Sequence, residues 1–149
     1  MTNSSSDPQN GSPQQLRDLA RTGDEHDRWL LAGRDDVDSD LFILLAEIGE
    51  EDVLVMLARN TATPGPVLEL LSERGGVLAD EARLNTNAPA DLKDDSPIGS
   101  HSAHSIGLYL DERQATPSQR RALNREYERS AHPGGRRLGE VWEQVRSRV

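Results

Sequence analysis

The chain has 149 residues, is 34% hydrophobic and only 3% aromatic, and carries a formal net charge of −9, so its core must be built from Leu, Val and Ala. It contains no cysteine, which excludes disulfides, thiolate metal sites and a cysteine nucleophile. The charge is unevenly placed: residues 1–112 hold 8 basic and 22 acidic side chains, residues 113–149 hold 9 basic and 4 acidic.

The first fifteen residues are rich in Ser, Asn, Gln and Pro, with neither a basic start nor an apolar run. They do not read as a secretory signal, and 1–11 are expected to be a disordered arm. No stretch approaches the ~18 apolar residues of a membrane span, and a cytoplasmic, membrane-free protein is expected. Sixteen arginines against the single Lys93 reflect a coding bias of bacterial type more than a function.

Three glycines, Gly23, Gly49 and Gly75, stand 26 residues apart, each preceded by a similar pair: Leu19-Ala20, Leu45-Ala46 and Leu71-Ser72. Such a period marks stacked supersecondary units rather than a globular enzyme core. In chain order, Ser12-Pro13 opens a lone helix with a polar outer face, as a terminal cap should have. The first copy runs Trp29 to Ala32, turns through Arg34-Asp35-Asp36, and restarts from a cap at Asp38 or Ser39 into Leu41 to Ala46. In the second, Val53, Leu54, Met56 and Leu57 recur at helical spacing; Thr63 is the expected N-cap of the next helix, with Pro64 at its first position and Gly75 as its left-handed stop. The third reads Val77-Leu78 and Ala82, then Asn85 to Pro89, and ends with a short second helix at Ser96-Pro97.

Leu57-Ala58-Arg59-Asn60 and Thr63-Pro64, followed by Val67, Leu68 and Leu71, resemble the variant leucine-rich repeats. The resemblance covers residues 12–95 and is close only in the second copy; the first lacks the Asn and Thr-Pro, the third the Leu and Thr. It implies an all-α fold, a short right-handed α-solenoid of about three helical hairpins that serves as a binding scaffold. Three hairpins forming a plain bundle is the alternative architecture.

Residues 96–105, small and polar, read as a linker or exposed loop, and 106–149 as a basic helical segment capping the stack. A short helix over 106–113 should bury Leu108 and Leu110. Thr116-Pro117 with Gln119 marks the start of a helix reaching about Ser130. The last helix, from about Arg137, lines Leu138, Val141, Trp142, Val145 and Val149 on one face, which either packs on the solenoid end or is held out for a partner.

No catalytic residue, metal site or cofactor is expected. His101 and His104, three apart in a Ser- and Gly-rich run, read as a surface pair. Asp35, Asp36, Asp38 and Asp40 lack the spacing of a calcium loop. A non-catalytic protein–protein interaction scaffold is the expected function, with another protein as partner. Arg34, Arg59 and Arg83, at nearly equivalent turn positions, and Trp142 are the candidate contacts; solvated arginines paired to local acids account for the first three equally. The alternative is nucleic-acid binding through Arg120, Arg121, Arg125, Arg129, Arg136 and Arg137, with Arg146 and Arg148 beyond them, a stripe diluted by Glu126, Glu128, Glu140 and Glu143.

Overall fold

The computed structural model describes residues 11–148, so Val149 and all of the expected N-terminal arm except Gly11 lie outside the described residues. Within that range the chain is helical, with no strand among the described residues. The order is α1 (Pro13–Thr22), α2 (Glu25–Ala32), α3 (Ser39–Ile48), α4 (Glu51–Arg59), α5 (Gly65–Ser72), α6 (Gly76–Leu84), α7 (Ala90–Lys93), a 3₁₀ turn (Ile98–Ser100), α8 (Ala103–Glu112), α9 (Pro117–Arg129) and α10 (Leu138–Arg148). Two compact units divide the chain, one ending at Ala82 and the other beginning at Arg83. The division falls inside α6 rather than at the expected boundary after residue 95.

The first three helices are each started by a side-chain cap. Ser12 and Gln15 form a reciprocal capping box on α1, Asp24 and Asp27 do the same on α2, and Asp38 accepts from the Leu41 amide at 3.1 Å to cap α3. The turns that follow α1 and α3 are made at Gly23 and Gly49 in extended backbone, where a Cβ would sit 2.7 Å from the Leu19 carbonyl and 2.6 Å from the Leu45 carbonyl. Close approach requires glycine at both. Gly75 answers a different need, a left-handed turn at φ 72° with open space around it. One sequence period thus serves two physical purposes.

Helices two apart in sequence pack side by side, α1 on α3, α3 on α5 and α2 on α4, while neighbours α1–α2, α3–α4 and α4–α5 pack as hairpins. Leu31, Leu45, Leu57 and Leu68 are fully buried at the centre of these contacts, each contributing roughly 2 kcal/mol of apolar burial. Polar side chains tie the layers together. Asn60 Nδ2 donates to the carbonyls of Ala32 (2.9 Å) and Arg34 (2.7 Å), and its Oδ1 accepts from the Ala62 amide. Arg28 donates to the Ala20 and Gly23 carbonyls at the end of α1 and reaches Glu50, at the start of α4, through two guanidinium nitrogens.

Thr63 does not cap α5. Its side chain is buried and Oγ1 donates to the Leu57 carbonyl at 2.7 Å, one of the acceptors orphaned where α4 ends; Pro64 takes the N-cap position without a side-chain bond.

The second unit has its own core, in which Ile98, Ile106, Leu123 and Leu138 are wholly buried and Tyr109 packs edge-on against Trp142 at 6.2 Å between ring centres. α10 packs on α9 and α7, and α7 on α8. The stretch 96–105, expected as a linker, is part of this fold: Ser96, Ile98, Gly99, His101 and Ser105 are buried. Its small residues are there because backbone passes close by. A Cβ on Gly99 would lie 1.9 Å from the Ala131 carbonyl, and the Gly99 amide donates to the Gly134 carbonyl at 2.7 Å. α8 begins earlier than expected and buries Leu110, but Leu108 faces outward at 38% exposure, because Ile106, Tyr109 and Leu110 occupy the inward face.

Candidate functional site

Two of the turn arginines, Arg34 and Arg59, are paired with acids. Arg34 is held by both carboxylate oxygens of Asp36, at 2.8 Å each, and the exposed Arg59 pairs with Glu81 at 3.1 Å. Both belong to the first unit, whereas the half-buried Arg83 belongs to the second. Asp36 is held ionised by that Arg34 hydrogen bond, and Asp38 caps α3 and pairs with Arg17 at 3.2 Å. Asp36 and Asp38 of the run are thereby committed to pairing and capping.

Trp142, proposed from sequence as a partner contact, lies in the core of the second unit with 6% of its surface exposed. The apolar stripe of α10 is covered by α7 and α9, so this helix is not held out. Around α9 the basic side chains differ in accessibility. Arg120 turns back onto Asp111 (2.9 Å) and the Ala115 carbonyl, Arg137 pairs with Asp95, and Arg136 donates to Gln144. Arg121, Arg125 and Arg129 remain exposed on successive turns of one face; Arg121 donates to Ser118 Oγ at 3.3 Å and Arg129 lies 3.8 Å from Glu126.

His101 and His104 do not come together. His104 is exposed, while His101 is buried with Nε2 2.7 Å from Ser96 Oγ and Nδ1 3.0 Å from Ser105 Oγ. Burial, reinforced by nearby Lys93, lowers the imidazole to about 4, so it is neutral at physiological pH. The lone lysine is buried too. Its Nζ donates to the Ser105 carbonyl at 3.0 Å, and desolvation brings it down to about 8, opposed by the charge of Glu112. Sequence reasoning missed this cluster because serine and histidine in a glycine-containing run carry no periodicity; the signal that was there is the single lysine in an otherwise all-arginine chain.

What the first unit leaves open is apolar. Trp29, Ile43, Ile48, Leu70 and Val77 are all between 38% and 64% exposed, on a body whose residues 11–82 hold 6 basic and 16 acidic side chains. Trp29 stacks on His26 nearly parallel, at 15° and 6.1 Å between ring centres. The two rings line an open cleft of about 590 Å³ together with Asp24, Glu25 and Asp52, from the start of α2 and of α4. The carboxylate of Asp24 is kept ionised by the Asp27 amide it accepts from. Neither Glu25 nor Asp52 has an ion-pair partner within 4 Å among the described residues.

No protein-family model matches this chain, and no curated protein or solved structure is significantly similar to it.

Proposed function

We propose that the chain is a non-catalytic protein–protein interaction scaffold in which residues 12–95 form a short right-handed α-solenoid of variant leucine-rich repeat type, about three helical hairpins long. The observation that carries the reading is the register of the first unit. Helices two apart pack side by side, and the Asn60 amide bonds a carbonyl one 26-residue period earlier, the connectivity expected when successive hairpins stack by translation. Apolar side chains left exposed on several of these helices, including Trp29, Ile43 and Leu70, supply the anchors that a protein partner buries. Cytoplasmic location is part of the proposal.

Cross-linked affinity capture of the full chain from cells that express it, followed by reconstitution with the purified captured protein, is the test. A single stoichiometric protein that binds again in purified form supports the scaffold; its absence counts against it.

A second reading, nucleic-acid binding, is favoured by one observation, the exposed face of Arg121, Arg125 and Arg129 on α9. Three guanidiniums on successive turns are suited to tracking phosphates. It predicts retention on heparin that fades steeply with salt and is lost when all three become Ala. Retention that survives those substitutions rejects it.

A further inference from the structure

We propose that the cleft at Trp29 seats an arginine side chain presented by a basic segment of the partner protein. The inference rests on the scaffold reading and names the chemistry of its partner.

The cleft combines two features that are individually ordinary. It is lined by the half-exposed indole of Trp29, stacked on the ring of His26, and by the acidic side chains of Asp24, Glu25 and Asp52. An aromatic face attracts a cation through its quadrupole, and a guanidinium, being planar and weakly hydrated, stacks on indole while its N–H groups remain free to donate sideways. The lining carboxylates supply acceptors for those donors. A compact ammonium meets the same charge but gains less from a flat aromatic face. A divalent cation is the poorer occupant, because no group of three or more metal-binding side chains is poised together among the described residues.

The surroundings point the same way. The volume, about 590 Å³, exceeds one side chain and leaves room for the neighbouring residues of a peptide. The acidic excess of residues 11–82 favours the approach of a basic segment over an acidic one.

The probe is a capped hexa-arginine peptide, with hexa-lysine and hexa-glutamate as comparisons, titrated into the full chain at low salt. The readout is the indole N–H resonance of Trp29, distinguished from that of the buried Trp142 by the Trp29→Phe spectrum. Saturable movement of the Trp29 signal with hexa-arginine is expected, with Trp142 unmoved, no response to hexa-glutamate, and hexa-lysine weaker by several-fold. Trp29→Ala and Asp52→Asn, both at exposed positions, should each weaken hexa-arginine binding roughly tenfold. Glu69→Gln, an exposed acid on α5, should leave it unchanged. A static Trp29 signal, or a loss in Glu69→Gln equal to that in Asp52→Asn, overturns the proposal in favour of diffuse charge.

Salt-sensitive self-association of the unliganded chain that Trp29→Ala abolishes makes a second copy the occupant and overturns the partner assignment. The peptide titration needs no natural partner, so its outcome separates from the scaffold test. A silent cleft beside a reconstituted partner rejects the cleft alone, and a responsive cleft with an empty capture rejects the scaffold alone.

Discussion

The side-chain amide of Asn60 lies 2.7 Å from the carbonyl of Arg34, residues separated by the same 26 positions that separate the glycines. With its second bond, to Ala32, this amide closes the C-terminal end of α2, whose last carbonyls have no intrahelical donor. A side chain at the end of one hairpin thus completes the helix of the hairpin before it.

Asn60→Ala removes the donor from both carbonyls and should destabilise the protein by about 2 kcal/mol. Asn60→Asp should do worse, since it turns an acceptor toward two acceptors. Urea melts of the full chain followed by far-UV circular dichroism measure both, and an Asp variant as stable as wild type contradicts the assignment of Nδ2 to Ala32 and Arg34.

Two glycines should respond to alanine by different amounts. Gly99→Ala drives a Cβ into the Ala131 carbonyl and should cost about 3 kcal/mol, because backbone on both sides must move. Gly75→Ala meets no atom within 4 Å and bears only the left-handed backbone cost, about 1 kcal/mol. Thermal denaturation of the pair orders them.

Lys93→Met should stabilise the second unit. Burial brings the ammonium from 10.5 to about 8, a penalty on the order of 3 kcal/mol below pH 8, against which Met gives up the Ser105 hydrogen bond, worth about 1. The expected net gain is about 2 kcal/mol at pH 7. Because the folded state resists protonation, wild-type stability should rise as the pH climbs from about 8 through 10.5, and Lys93→Met should lack that rise. Urea midpoints across this range test both.

Glu50 has the opposite sense. The hydrogen bond from Arg28 lowers its carboxyl below 4.5, so the pair contributes above that pH and the contribution is lost as the pH falls through the folded value. Glu50→Gln should therefore lose less stability than wild type as the pH falls below 4.5. Equal slopes for the two proteins in acid melts would falsify the pairing.

The caps, stops and periods of the helices were legible in the chain because they depend on neighbours three or four residues away. Ser12-Pro13, Asp38 and Thr116-Pro117 start helices where read, and Val53, Leu54 and Leu57 of α4, Val67, Leu68 and Leu71 of α5, and Leu138, Val141, Trp142 and Val145 of α10 are buried, whereas Leu70 of the same α5 stripe is left exposed. Thr63 shows the limit: a hydroxyl suited to a cap found a stronger claim in a buried carbonyl six residues back. Of the candidate contacts, Trp142 is buried by α7 and α9, and Arg34 and Arg59 are paired with acids. Trp29, which opens the first copy, is left exposed.

Local sequence decided that this protein is helical and where most helices begin and end, since capping, proline geometry and apolar spacing act within a turn or two. Tertiary structure decided which side chains are available. Whether an arginine meets a carboxylate, a tryptophan meets a core, or a serine-rich run is solvated depends on residues 20 to 40 positions away, such as Glu50 for Arg28 and Ala131 for Gly99. Those distances close only when the helices pack, and no short-range pattern encodes them.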